Sequence, residues 1–165
     1  MIKLMTKKQN WQIKIATDRD VQIISQHFYQ LWLDNNFSAD LIKEDWQEIT
    51  LDFIKKAREE LSFRAWLVEI DGKVVASVAC QFFNGLYPSV FKAGTRQFGY
   101  IWNVYVESDY RRQGIATALV NQCLEYLKSI GCTRVFLHAS NSGKPVYENL
   151  DFLPSNEMFI DIVND

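Results

Sequence analysis

Three groups of residues have types and spacing that could do chemistry. The first is Arg111-Arg112-Gln113-Gly114-Ile115-Ala116-Thr117, which follows the apolar stretch Val104-Tyr105-Val106 and runs directly into a helical pattern. A glycine turn between a buried strand and a helix suits an anion, because the first helical N–H groups lack intrahelical partners and carry the positive end of the macrodipole. Gly114 lets a phosphate approach the backbone, Ala116 keeps the wall low, and Arg111 and Arg112 add cationic donors. Without a ligand, the same residues are a helix begun by a tight turn, with two solvated arginines. No Gly-Lys-Ser/Thr follows, so this is not a P-loop. The second and third glycines of the dinucleotide fingerprint are missing as well.

The second group surrounds Tyr147. A phenol with a pKa near 10 is protonated at neutral pH and can donate to a departing anion. Val146 and Leu150 are four residues apart and are expected to face the core, turning Tyr147 to another face. Asn141 stands near the start of the same short helix, where it could cap the helix or meet a ligand. The third group comprises the bases. The strand over 98–106 has no Asp or Glu, which leaves Glu107, Glu157, His138 or a water chain. A lone histidine on an apolar strand is more often a packed core residue. Cys80, Cys123 and Cys132 have no Cys-x-x-Cys spacing, and the two histidines are far apart, so neither a metal site nor a disulfide framework is expected. None of the cysteines is placed as an acyl carrier.

The elements that position these groups alternate. Residues 11–16 alternate as a strand. Thr17 and Asp18 are N-cap types ahead of Val21, Ile24, Phe28, Leu31 and Trp32 at helical spacing. Ser38 is expected to cap a second helix with Leu41, Ile42, Trp46, Ile49, Phe53, Ile54 and Ala57 on its apolar stripe. Segments 63–70 and 73–83 read as strands around the hairpin signal Asp71-Gly72. A surface loop is expected over 84–98, and 99–106 is apolar on both faces, as in a central strand. Ile115, Leu119, Cys123, Tyr126, Leu127 and Ile130 stripe the next helix, which Gly131 ends. A strand over 134–139, a short helix through Asn149 and a last strand at 159–162 complete the order β-α-α-β-β-β-α-β-α-β. This alternation is α/β.

The chain has 165 residues, 48% hydrophobic and 23% charged, with a formal charge of −2. That is one domain's length, enough to bury about 70% of the unfolded surface, and the composition excludes disorder. The acidic balance argues against a nucleic-acid partner. No apolar run approaches the roughly 20 residues that cross a membrane, and residues 1–10 hold too few apolar residues for a signal peptide. A cytoplasmic protein occupying 1–165 as one domain is expected.

The string Val104-Tyr105-Val106 followed by Tyr110-Arg111-Arg112-Gln113-Gly114-Ile115-Ala116 resembles motif A of the GNAT superfamily of acetyl-CoA-dependent N-acetyltransferases, whose pattern is Gln/Arg-x-x-Gly-x-Gly/Ala. Downstream, the segment from Leu137 through Asn141, Tyr147 and Leu150 to Phe152 resembles the family's motif B. The two motifs stand in the right order and spacing over the last third of the chain. Asp151 stands where the family usually has glycine; if that position needs positive φ, Asp tolerates it better than most residues.

The resemblance implies a single GNAT-like domain, with a mixed sheet splayed between the motif A and motif B strands and flanked by helices. It implies acetyl-CoA as co-substrate and no metal. The pyrophosphate would lie on backbone N–H groups from Arg112 to Thr117, the pantetheine arm would pair with the backbone of Val104 and Val106, and Asn141 would reach the arm or its phosphate. Tyr147 would protonate the departing thiolate. Glu157 and Trp102 are expected on the acceptor side, beside the first two helices and the 84–98 loop, whose Trp32, Trp46, Phe82, Phe83, Tyr87 and Phe91 could wall a pocket. The implied reaction is direct transfer of acetyl to a primary amine of a small molecule or peptide in a ternary complex. A coenzyme-A-binding sensor without turnover and a partner-binding domain are the competing functions. A homodimer is the family-level expectation.

Overall fold

The computed structural model describes residues 10–162. The reading of 1–10 as no leader therefore lies, apart from Asn10, outside the described residues. The elements are β1 (Gln12–Ile15), α1 (Val21–Asp34), α2 (Trp46–Glu60), β2 (Arg64–Ile70), β3 (Lys73–Phe82), β4 (Phe98–Val106), α3 (Ile115–Ser129), β5 (Arg134–Phe136) and α4 (Lys144–Glu148). The strands form one sheet in sequence order, antiparallel from β1 to β4 and parallel between β4 and β5.

Alternation along the central strands separates two apolar layers. Trp66, Val68 and Ile70 of β2 join Val75, Val78 and Ile101 beneath Leu119, Cys123 and Leu127 of α3. Ala65 and Leu67 point the other way and pack with Ala79 against Ile24 of α1 and Ile54 and Ala57 of α2. The sheet is thus covered by α3 on one face and by α1 and α2 on the other. Local signals act where the sequence puts them. Thr17 forms a capping box with Asp20. Asp71 and Gly72 take φ of 51° and 78°, as a type I′ hairpin turn requires. Gly131, at φ 88°, ends α3 while the Cys132 amide donates to the Leu127 carbonyl.

Three expected boundaries are corrected. Ser38 precedes a 3-10 turn at Ala39–Leu41 and not α2, which starts at Trp46. The charged run Lys43-Glu44-Asp45 offers no face to bury, whereas Trp46 stacks on Tyr29 of α1 with ring centroids 4.4 Å apart. β5 stops at Phe136 and does not reach residue 139, because β4 has turned away from it by then. The strand expected at 159–162 does not form: Phe159, Ile160 and Ile162 are more than 80% exposed and pair with no described strand.

Two features of β4 shape the site. Its pairing with β5 covers only Phe98, Gly99 and Tyr100, after which the strands part as a fork. On its other side, Ala79 pairs with Trp102 and Ser77 with Tyr105, so Asn103 and Val104 together face one residue of β3. This is a β-bulge, and Asn103 takes φ 54° to make it.

Candidate functional site

The turn into α3 exposes a row of backbone donors. Arg112 and Gly114 both take left-handed φ, 61° and 80°, and the first helical bond runs from the Ala118 amide to the Gly114 carbonyl. The N–H groups from Arg112 to Thr117 therefore have no backbone acceptor among the described residues. Successive amides around left-handed residues form an anion-binding concavity, and the helix dipole points into it. A Cβ at Gly114 would meet nothing within 4 Å, so the space beside it is open.

The two arginines differ. Arg112 is exposed. Arg111 is occupied: its Nε donates to the Val106 carbonyl at 2.8 Å and its terminal nitrogen to Asp34 at 2.6 Å. Arg111 thus fastens the turn to α1 and to the end of β4, and takes the Val106 carbonyl as partner. Val104 and Val106 lie on the arm of the fork where β4 has no partner on its β5 side.

Across the fork, α4 carries Tyr147. The ring is 8% exposed and packs in the α3-side core near Phe152, at 5.9 Å between centroids. This corrects the expectation that Val146 and Leu150 would turn Tyr147 away from the core. The five-residue helix lies flat enough that Tyr147 is its buried residue while those two pack only partly. Gly143 makes room for the ring, since a Cβ there would stand 3.1 Å from it. Burial pushes the Tyr147 phenol up to about 12, which fixes it as a proton donor over the physiological range. No described group hydrogen-bonds its hydroxyl. Ser140, not Asn141, accepts from the Gly143 amide at 3.1 Å, so Asn141 is exposed and carries no capping role. Asp151 takes φ 61°, the conformation for which glycine is usual.

The acceptor-side residues separate. Glu107 is bound to Lys73 at 2.6 Å. His138 hydrogen-bonds through Nδ1 with the Tyr100 hydroxyl, and Glu157 is near enough for its charge to act on Tyr100. Two of the three candidate bases therefore converge on one tyrosine. Trp102 is half-buried on the α1–α2 face, where its ring meets Phe28, Phe53 and Phe63 and its Nε1 donates to Gln81. Of the other expected wall residues, Phe83 adjoins Tyr100 at 5.6 Å, while Tyr87 and Phe91 are exposed on the loop. Tyr100 escaped sequence reasoning because its alternation reads as core. So did a buried polar group under the bulge, in which the Ser77 hydroxyl meets His27 Nδ1 at 2.8 Å and accepts from Asn103 Nδ2 at 3.0 Å.

Known proteins share this architecture. The acetyltransferase (GNAT) family profile matches residues 25–152. A glucosamine 6-phosphate N-acetyltransferase of Trypanosoma brucei brucei is 39% identical over 62 residues, 38% of this chain and 42% of that protein. Human N-acetyltransferase 8 is 28% identical over 130 residues, 72% of this chain and 55% of its own. The chain spans about half the length of the curated relatives it matches. Among solved structures, a predicted acetyltransferase from Clostridium acetobutylicum, crystallised with acetyl-CoA, superposes with a TM-score of 0.78 at 24% identity, covering 93% of this chain and 96% of that one. A GCN5-related N-acetyltransferase from Ralstonia eutropha gives 0.76 at 21% identity, covering 93% and 99%. With its splayed sheet, its donor-lined turn and a family match spanning most of its length, this chain belongs to the GNAT family of acetyltransferases.

Proposed function

We propose that the protein transfers acetyl from acetyl-CoA to a primary amine by direct attack, with both substrates bound together. The observation that carries this is the row of free amides from Arg112 to Thr117 at the open end of the fork between β4 and β5. A pyrophosphate satisfies those donors at the positive end of α3, and on the open edge of β4 the backbone of Val104 and the amide of Val106, whose carbonyl is held by Arg111, offer hydrogen bonds to a peptide-like arm. Asn141, exposed ahead of α4, is assigned in this reading to bond the arm or its phosphate. The thioester supplies an activated acetyl group. Tyr147, held protonated by burial, donates to the sulfur as it leaves. No described group of three or more His, Cys, Asp or Glu side chains could hold a metal, and none of these roles calls on one.

The acceptor side comprises Trp102, Glu157 and the faces of α1 and α2. The Trypanosoma relative is named for an amino sugar phosphate, which supports a small-molecule amine as acceptor. No described helix is long and apolar enough to cross a membrane, and we place the protein in the cytoplasm as one domain over 1–165. A second copy is the occupant we propose for the exposed side chains of Leu153, Met158, Phe159, Ile160 and Ile162, because a two-fold pairing covers both tails at once. Nucleic acid is not among the proposed partners.

Calorimetric titration with acetyl-CoA, together with melting curves, tests the site. A micromolar dissociation constant and a raised Tm are expected by mass action. A heatless titration with an unmoved Tm overturns the assignment.

A further inference from the structure

The reading of the chain as an amine acetyltransferase leaves one proton without an exit. The acceptor arrives as an ammonium ion and must lose a proton before its nitrogen has a lone pair. That nitrogen then bonds to the acetyl carbon, the carbon–sulfur bond breaks, and its electron pair leaves on sulfur. The proton the nitrogen still sheds balances the one Tyr147 gives to sulfur. One proton per turnover therefore has to leave the site.

The fork sets where that exit must be. The pyrophosphate donors lie beyond the last residue of β4, at Arg112 to Thr117, so an arm running back along β4 points its thioester towards the apex. The apex is the last β4–β5 pair, Tyr100 with Phe136, six residues back from Val106, or about 20 Å at 3.3 Å per residue. Tyr100 lies on the same face as Trp102, two residues on, and this face is covered by α1 and α2. It is the only titratable residue of β4 before Tyr105, and its hydroxyl reaches across the apex to His138 Nδ1. The ring centroids of Tyr100 and His138 are 5.8 Å apart. The Glu157 carboxylate is the charged group whose field reaches the Tyr100 phenol and raises it. Phe83 walls the same spot, 5.6 Å from Tyr100.

We propose that Tyr100 is a catalytic residue that accepts the acceptor's proton while passing its own to His138. The reading rests on the acetyltransferase function above. The relay starts from the arrangement in which the Tyr100 hydroxyl donates to Nδ1 and the imidazole carries its proton on Nε2. In the relay the ammonium proton moves to the Tyr100 oxygen, the Tyr100 proton moves to Nδ1, and the resulting imidazolium releases the Nε2 proton to water. The exposed ring then returns to its Nε2–H tautomer by proton exchange with solvent, ready for the next turnover. His138 is exposed, which gives that proton a way out. Burial and the Glu157 charge both raise the Tyr100 phenol, so it starts each turnover protonated, as a relay requires.

The test uses purified full-length protein with acetyl-CoA and whichever of 2-phenylethylamine, spermidine and glucosamine 6-phosphate reacts fastest. Product formation is measured at pH 7 and at about pH 9.5, close to the ~10 of an ordinary alkylammonium, where solvent supplies the free amine. Tyr100→Phe is expected to lose about 10²-fold at pH 7 and to come within about fivefold of wild type at pH 9.5, with unchanged acetyl-CoA affinity. His138→Gln can still accept from Tyr100 but cannot take its proton, so the same pattern is expected; this exposed position also carries the test if Tyr100→Phe does not fold. A His138→Gln protein with wild-type rate at pH 7, or an equal loss at both pH values, overturns the relay while leaving the transferase standing. Absence of any N-acetyl product from wild type at either pH overturns both.

Discussion

Arg111 and Asp34 stand 77 positions apart in sequence and 2.6 Å apart in space. Their ion pair joins the last residue of α1 to the turn that precedes α3, and the same guanidinium holds the Val106 carbonyl. Both side chains are partly exposed, so the pair contributes no more than about 1 kcal/mol. In the proposed function the pair also holds a cation beside the proposed pyrophosphate site without committing it to the ligand.

Asp34→Ala separates these two effects. Thermal unfolding is expected to lose less than about 1 kcal/mol. Acetyl-CoA affinity, read by calorimetry, is expected to hold or tighten by up to about threefold, because one negative charge has gone and Arg111 can turn to the phosphate. A collapse in affinity would show that the pair instead shapes the donor row.

Gly114 tests the donor row itself. At φ 80°, Gly114→Ala costs about 1–2 kcal/mol of folding stability, because a Cβ is crowded in the left-handed region. The new methyl meets no protein atom within 4 Å, so any further effect falls on the ligand. Affinity for acetyl-CoA should drop at least about tenfold in a folded protein, with Gly114→Val worse. Equal affinity would remove the phosphate from this turn.

Tyr147→Phe keeps the packing against Phe152 and the fit over Gly143 and loses only the hydroxyl. General acid catalysis is worth about 10²–10⁴-fold, and a thiol of pKa ~8.5 is a tolerable leaving group, so the lower end applies. Turnover should fall about a hundredfold while Tm and directly measured affinity hold. Near wild-type turnover with chemistry rate-limiting would reduce Tyr147 to a packing residue.

His27 gives the fold an acid limit. Burial lowers its imidazole to about 4, and the ring is 4% exposed against Tyr105. A neutral buried histidine must take up a proton on unfolding below its ordinary pKa of about 6.5, so the unfolded state binds more protons and stability falls as the pH is lowered. This contribution is whole above pH ~6.5 and fades as pH drops to about 4, by about 3 kcal/mol in all. Urea unfolding of His27→Gln should lose less stability than wild type between those two values. Parallel curves would assign the acid sensitivity elsewhere.

Much of this was legible in the sequence, and the gaps have physical causes. Asp71-Gly72, Gly114 and Gly131 each demand positive φ, so hairpin, turn and helix end could be placed to the residue. Apolar periodicity identified α1, α3 and the central strands. It failed at Ser38, where a good cap type is followed by charges and not by a buried face, and at 159–162, where an apolar alternation stays exposed and does not join the free outer edge of β5. The bulge at Asn103 has no local signature, because it arises from the mismatch between β3 and β4. The Arg111–Asp34 pair and the meeting of Tyr100 with His138 join residues 77 and 38 positions apart, which no spacing rule reaches.

The most direct test of the central claim is mass-spectrometric detection of N-acetyl product from wild-type protein, acetyl-CoA and a panel of primary amines, with free thiol counted in the same reaction. One amine in the panel is expected to yield N-acetyl product and coenzyme A thiol in equal amounts. Saturable acetyl-CoA binding without acetylated amine at any pH would contradict the claim and leave a coenzyme-A-binding protein without turnover.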